Sequence, residues 1–447
     1  MRESGISATS NLYVLLGLAG LLASLDIWLN KTITAYTLYI VGIVIAIILG
    51  TRLLVELSAR QIYRLEIRRE FLDPLVEKNK VRIKIVFRNN SSIPLFYVSI
   101  NDLYPSLFKL VEGSNTVSAT LLPYSGFEYE YIVETILGKH TFHGLEIIVK
   151  DPLGLFNYKT TIDPEKKIVN IKPKPAAFPR RVLSVWTRRG LGMGKARMRG
   201  LGQEFYELRE YFPGDDYRLI DWKSFARLRK LYVKEFEREA NLSVVFVIDV
   251  SPDSMRGIIG STPLEDMARI SAGLSKILLE RGDWVGVVIR GGKIVRSGYG
   301  RGRIHFTRII NSLSNIDWDI KEPGISLGEL ILNEASKLPR RAKTLFFVLT
   351  TLLNKYEADE LINASSKLRS LGHLVFIVQL IPELYEEKYL KGLESAIFSG
   401  LTLDRYVLSK QIREYLGRRG VKVVSVGPDD IYVMIYRLIE SYRAVIV

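Results

Sequence analysis

The chain contains no cysteine and only four histidines in 447 residues. Without thiols it has no disulfide framework, no thiolate nucleophile and no cysteine-based zinc site. His140, His143, His305 and His373 never take the H-E-x-x-H spacing of a zinc-dependent hydrolase. His140 and His143 lie close together, but in a strand-rich stretch where a turn or strand role outweighs a metal one. No G-x-x-x-x-G-K-[ST] pattern occurs, so any ATP hydrolysis the protein depends on comes from another polypeptide. The glycines at Gly291-Gly292-Lys293 and from Gly298 to Gly302 resemble a hairpin and its exit instead. Acidic residues are also in deficit, 48 against 63 Lys and Arg, for a formal charge of +15. Such an excess suits anionic lipid, nucleic acid or an acidic protein partner without choosing among them. A hydrophobic content of 47% marks folded material, and the length allows two or three domains.

Long apolar runs are present, and they stand at the start. Residues 11–29 are interrupted only by Asp26, and residues 33–49 carry no charge. At about 1.5 Å of rise per residue, each can cross a hydrocarbon layer of roughly 30 Å with its flanks included. Together they predict a transmembrane helical hairpin rather than a signal peptide, since the first run has only Arg2 before Glu3 and no small-x-small cleavage site follows. Arg52, Arg60, Arg64, Arg68 and Arg69 follow the second run, whereas the connecting loop has only Lys31. The positive-inside tendency therefore predicts a multi-pass protein of the cell membrane with its soluble domains and N-terminus in the cytoplasm. Asp26 is expected at the outer interface, as a solvated carboxylate rather than part of an ion pathway.

From about Ile62 to Ile171 the pattern alternates with period two, as in Val81–Phe87, Phe127–Val133 and Leu145–Val149, punctuated by turns such as Asn89-Asn90-Ser91-Ser92 and Asp151-Pro152-Leu153-Gly154. Short strands with one buried face predict an immunoglobulin-like β-sandwich. Lys172-Pro173-Lys174-Pro175 then reads as a stiff linker. The basic, glycine-rich stretch 188–199 follows it; Lys195 is succeeded by Ala196 rather than Ser or Thr, so a disordered or docking loop is favoured over a phosphate-binding one. Beyond residue 241, continuous apolar runs beginning at Leu242, Trp284, Thr344, Leu374 and Val421 alternate with helical patterns at Leu264–Arg281, His305–Leu313, Leu327–Leu338, Ala358–Leu371 and Asp430–Tyr442. That alternation predicts a doubly wound α/β domain with its ligand position at the C-terminal edge of the sheet, where Asp249 and Ser251 fall. The expected layout is a membrane anchor over 1–59, a sandwich over 60–175, a linker and charged segment over 176–240, and the α/β domain over 241–447.

The densest chemistry lies between these parts. From Glu204 to Arg227 the chain reads E-F-Y-E-L-R-E-Y-F-P-G-D-D-Y-R-L-I-D-W-K-S-F-A-R. Pro213-Gly214-Asp215-Asp216 is turn chemistry. Asp215, Asp216 and Asp221 lie near enough to Arg218, Lys223 and Arg227 to predict an ion-paired network around Trp222, joining the strand domain to the α/β domain. The surrounding cations favour ionised carboxylates, which argues against a catalytic pair with separated pKa values. Glu204, Arg209 and Gly214 complete the candidate segment, read as a structural element or a partner contact.

This stretch closely resembles the signature of domain-of-unknown-function family fifty-eight. The resemblance implies a prokaryotic, membrane-anchored protein whose signature precedes a von Willebrand A-like domain, and a partnership with a MoxR-type AAA+ ATPase, whose genes often lie beside those of the family. It implies no established reaction. The von Willebrand A fold commonly holds a divalent cation through Asp-x-Ser-x-Ser after the first strand. Here that loop reads Asp249-Val250-Ser251-Pro252-Asp253-Ser254, with Asp253 in place of the second serine and Ser254 one position late. Thr350-Thr351 stands where relatives of the fold often have Ser-Asp, and Thr307 is a candidate for the middle loop. The expectation is a degenerate site that binds Mg²⁺ weakly or not at all. The favoured reading is a non-enzymatic interaction protein. A metal-dependent hydrolase built on Asp249 and a membrane-tethered nucleic-acid binder using the basic stretch from Arg180 to Arg199 are the alternatives; the first lacks an evident nucleophile and base, the second a recognisable nucleic-acid module.

Overall fold

A computed structural model describes residues 5–30, 34–163, 168–176, 197–200, 204–239, 241–318, 324–339, 343–351, 354–387, 390, 393–428 and 430–446. The chain divides into two compact units, Met1–Ile171 and Lys172–Val447.

In the first unit, strand β1 (Gly5–Ala8) precedes two helices, α1 (Ser10–Asn30) and α2 (Ala35–Gln61). Both helices are long and apolar enough to cross a membrane by length and composition. The second starts two residues after the expected point and continues well past Leu49, so that a charged final stretch, including the Glu56–Arg60 pair at 2.9 Å, belongs to the same helix. Asp26 is not a merely solvated carboxylate. It accepts from the Thr34 backbone N–H at 2.7 Å and the Thr34 hydroxyl at 2.9 Å, and Thr37 donates to it as well, which caps the start of α2.

Strands β2 (Leu65–Phe71), β3 (Lys80–Asn89), β4 (Leu95–Asp102), β5 (Lys109–Glu112), β6 (Thr116–Leu121), β7 (Gly126–Glu134), β8 (Gly138–Thr141), β9 (Leu145–Lys150), β10 (Phe156–Ile162) and β11 (Ile168–Ile171) complete the unit. They form antiparallel sheets in the orders β1-β10-β9-β4-β6 and β2-β3-β7-β5, with β8 and β11 as a separate pair. The inward residues of both larger sheets, among them Ile83, Ile85, Phe87, Val98, Ile100, Tyr131, Ile147 and Val149, share one core. This is the alternation read from the sequence: along β3, Val81, Ile83, Ile85 and Phe87 are fully buried while their neighbours are not. A polar cluster sits inside. Asp102 takes Nε of Arg69 at 3.0 Å and the Tyr131 hydroxyl at 2.6 Å, and Arg69 also donates to the His143 carbonyl at 3.1 Å. His140 is buried and turned to the Ile136 carbonyl at 2.9 Å, so the two nearby histidines have backbone roles.

The second unit holds a small antiparallel sheet and a large one. The small sheet orders β12 (Arg197–Gly200), β14 (Tyr232–Glu239) and β13 (Glu204–Glu210), with the short helix α3 (Trp222–Leu228) between β13 and β14. The large sheet comprises β15 (Ser243–Asp249), β16 (Trp284–Arg290), β17 (Val295–Gly300), β18 (Thr344–Thr350), β19 (Leu374–Leu380) and β20 (Lys422–Val426) in the order β17-β16-β15-β18-β19-β20. All neighbours are parallel except the edge pair β16–β17, which forms the expected hairpin. Every residue of β15 and of β18 is buried, as strands covered on both faces require. Helices α4 (Pro263–Glu280), α5 (Gly302–Leu313), α6 (Leu327–Ala335), α7 (Lys355–Ser370), α8 (Pro382–Glu387), α9 (Leu393–Arg418) and α10 (Ile431–Ile446) alternate with the strands. The order turns back on itself at β15, which lies between β16 and β18. A crevice at the C-terminal ends of β15 and β18 is the position where such sheets hold ligands.

Candidate functional site at the sheet edge and the signature segment

Asp249 ends β15 and is paired in register with Arg290, which ends β16; Thr350 ends the other neighbour, β18. The residues that finish three adjacent buried strands therefore converge. Asp249 Oδ1 takes Nη1 of Arg290 at 2.8 Å, and Oδ2 takes the Thr350 hydroxyl at 2.7 Å. Arg290 is fully engaged: Nε donates to the Ile325 carbonyl at 2.8 Å, and Nη2 meets Glu357 in the first turn of α7. Glu357 in turn accepts from the Leu327 N–H, the first residue of α6, at 2.9 Å. Burial pushes the Asp249 carboxyl above its ordinary range, opposed by the Arg290 charge and the Thr350 hydroxyl.

The rest of the expected cation loop is occupied elsewhere. Ser251 Oγ lies 3.0 Å from Thr351 Oγ1. The Ser254 hydroxyl donates to the Ser251 carbonyl at 2.7 Å and accepts the Ser251 N–H at 3.0 Å, closing the loop on itself. Asp253 pairs with Arg405 of α9 and lies 3.9 Å from Arg256, which forks onto Glu386 of α8 at 3.1 and 3.0 Å. Thr307 is on α5, exposed, its hydroxyl toward the Arg303 carbonyl. Its helix is tied through His305 to Val285 at the start of β16, the opposite end of that strand from Arg290. The proposed ligands thus do not assemble around one point. Among the described residues no group of three or more His, Cys, Asp or Glu is placed to hold a metal ion. An Asp249 carboxyl already held by a guanidinium and a hydroxyl does not fit a divalent cation, which demands several hard oxygens in close geometry.

The signature segment is ordered by local pairing, but with different partners from those expected. Arg209, near the end of β13, forks onto Asp215 at 2.7 and 2.6 Å, and Asp215 also accepts the Phe212 N–H at 2.8 Å. These bonds, the Arg209 guanidinium first, hold the Asp215 carboxyl down at about 2. Gly214 supplies the positive φ of +109° that this turn needs. Asp216 accepts the Arg218 N–H at 2.9 Å. Asp221 accepts the Ser224 hydroxyl at 2.6 Å and Nζ of Lys234 at 3.1 Å, and both bonds lower its pKa. The carboxylate partners are therefore Arg209, Lys234 and nearby N–H and O–H groups, all within residues 209–234. Arg218, Lys223 and Arg227 make no ion pair among the described residues. Trp222 is not the centre of a network either: it is 62% exposed, with Phe212 at 64% and Tyr217 at 66%. Among the described residues, this three-stranded sheet with one short helix buries Ile220 and Val233. Glu204 starts β13, and its side chain is outside the described set, as is the stretch 177–196 that holds most of the basic segment, Lys195 and Pro179 included.

Arg290 and Glu357 are the functional residues the sequence reading missed. A signal existed: Trp284–Arg290 is an apolar run closed by a cation at the same sheet edge where the first run closes with an acid.

With this geometry in place, comparison with known proteins adds a class. Residues 207–387 match the family described as "Protein of unknown function DUF58". The curated "Uncharacterized protein YeaD" of Bacillus subtilis (strain 168) is 22% identical over 250 residues, 55% of this chain; the match spans 60% of that relative's length. Among solved structures, the conserved hypothetical protein BatB from Bacteroides thetaiotaomicron shares 14% identity over 46% of this chain and 99% of its own, with a TM-score of 0.32. An aerotolerance-related membrane protein from Bacteroides fragilis NCTC 9343 shares 16% identity over 31% of this chain and 67% of its own, with a TM-score of 0.26. The fold assignment rests on the strand order above rather than on these scores.

Proposed function

We propose that the protein is a membrane-anchored, non-enzymatic interaction protein that works with a MoxR-type AAA+ ATPase in the assembly or maturation of other complexes. In this reading the first unit is an immunoglobulin-like spacer on a two-helix anchor, and the second is a von Willebrand A-like module. The carrying observation is the signature surface. Asp215, Asp216 and Asp221 are held by internal bonds, while Phe212, Tyr217 and Trp222 are left facing solvent beside Arg218, Lys223 and Arg227. Exposed Trp and Tyr with Arg are the residue types that dominate protein interfaces, and the ordered turn beneath them lowers the entropy cost of docking.

The pairing of β1 with β10 supports the two-pass arrangement. One strand precedes both apolar helices and the other follows them, so the helices return the chain to the side from which it started. The arginines in the last turns of α2 and just beyond it favour the cytoplasm for that side in this reading, where an ATPase has its nucleotide. The test is binding of the full-length protein, in detergent, to a purified MoxR-type ATPase of the same organism. Trp222→Ala and Arg227→Glu are each expected to weaken it at least about tenfold. Equal binding by wild type and both variants would remove the signature surface from the reading.

A further inference from the structure

We propose that Arg290 is the built-in cation of the sheet edge, standing beside Asp249 where a divalent ion would otherwise sit, so that the edge is preorganised without metal. The inference concerns the edge alone and does not depend on which protein binds the signature surface. Its basis is the way three elements meet one guanidinium. Asp249 of β15 takes Nη1, Glu357 of α7 takes Nη2, and the Ile325 carbonyl just before α6 takes Nε. Both carboxylates thus face the same few-ångström space, filled by a planar cation whose donors match them.

Charge explains why the guanidinium excludes an ion. Arg290 bonds to both acids at once, so its single positive charge already serves two carboxyl groups. A divalent ion entering beside it meets like charge at short range in a buried setting and must also shed water. The guanidinium is only weakly hydrated and is tethered by its own strand, so it brings neither cost in full. Geometry agrees, because the second Asp249 oxygen is taken by Thr350, and the Ser251 hydroxyl has turned to Thr351. The loops at the ends of β15, β16 and β18 are held together by this cation in the way a bound ion holds them in a metal-dependent edge.

The consequence is a gain of function on removal. Without the guanidinium, two carboxyl groups and the Thr350 hydroxyl are left around a vacated space. That set is the hard-oxygen chemistry Mn²⁺ and Mg²⁺ take. The experiment follows melting of the full-length protein in detergent, in chelator and in millimolar Mn²⁺, with direct Mn²⁺ titration alongside and NaCl at matched ionic strength as control. Wild type is expected to melt at one temperature in all conditions and to show no Asp249-dependent binding. Arg290→Ala is expected to melt several degrees lower in chelator and to regain most of the loss in Mn²⁺; adding Asp249→Asn should abolish the recovery. If the alanine variant fails to fold, Arg290→Gln, neutral and still able to donate a hydrogen bond, carries the same comparison. Mn²⁺ binding by wild type that Asp249→Asn removes overturns the proposal, and so does a folded Arg290 variant that neither binds nor responds to Mn²⁺.

Discussion

In the first unit Arg69 and Asp102 lie between two paired sheets, and in the second Arg290 and Asp249 lie at the ends of parallel strands; both pairs are buried, and the surroundings separate their roles. Asp102 is sealed by the Tyr131 hydroxyl, and Arg69 covers the Phe142 ring at 4.8 Å from its centroid, so every direction leads into packed core. Burial and the adjacent Asp102 push the Tyr131 phenol upward, which keeps it the donor in that bond. Arg290 instead reaches the chain just before α6 and the first turn of α7. The same two residue types therefore close a core between sheets in one unit and tie strand ends to helix starts in the other. The Arg209–Asp215 pair of the signature, with side chains 30% and 19% exposed, forms a third case that orders a turn in contact with water.

The comparison can be broken at its strongest point first. Asp102→Ala leaves Arg69 charged and buried without its carboxylate, and is expected to lower stability by about 3–5 kcal/mol, read by denaturant unfolding and by lost hydrogen-exchange protection in β2, β4 and β7. A loss below about 1 kcal/mol would show that the pair is solvated like a surface one. At the sheet edge, Thr350→Val removes a single bond to buried Asp249 and is expected to cost about 1–3 kcal/mol; a larger loss than that of Asp102→Ala would reverse the ranking of the two pairs.

Acid sharpens the third case. The Asp215 carboxyl is depressed from 3.8 to about 2 by Arg209, so the stabilisation it contributes is present above its unfolded value and drains away as pH falls through the folded one. Carboxyl resonances followed by NMR should show Asp215 titrating near 2 in wild type and higher in Arg209→Gln, where the Phe212 N–H bond remains; identical midpoints would contradict the pairing. The smallest effect on stability is expected of Trp222→Ala, within about 0.5 kcal/mol, because its ring is mostly in water. A large loss of stability there would mean that the tryptophan is structural and would weaken the docking surface.

Much of the fold was legible because burial wrote it in two periods. Alternation over Val81–Phe87 marked a strand with one wet face, and unbroken runs such as Ser243–Asp249 marked strands covered on both. The helix α9 was not legible, because Leu393–Arg418 spreads its apolar residues around the helix instead of along one stripe. Strand β1 was hidden for another reason: four residues, all exposed, gain strand geometry only from pairing with β10 more than a hundred residues away. At the site, Asp249 was visible from its place after an apolar run, yet its partner was not. Spacing identifies ligands contributed by one loop, whereas Arg290 and Glu357 arrive from other strands and helices. In the signature the residue types were read correctly and the pairings were not, since Asp215 finds Arg209 six positions back across the turn and Asp221 finds Lys234 on the next strand.

The cap that Asp26 places on Thr34 and Thr37 bears on how the chain enters a bilayer. A first helix inserted alone would carry a carboxyl group near the far end of its apolar stretch without the donors that Thr34 and Thr37 supply. Once the second helix follows, the same carboxylate gains a backbone N–H and two hydroxyls as donors. In the two-pass arrangement proposed above, biogenesis is thereby coupled: the two segments are favoured to leave the insertion machinery as one closed hairpin. A translation product halted before Thr34 should remain extractable by alkali, while one extended through Thr37 and clear of the ribosome should not.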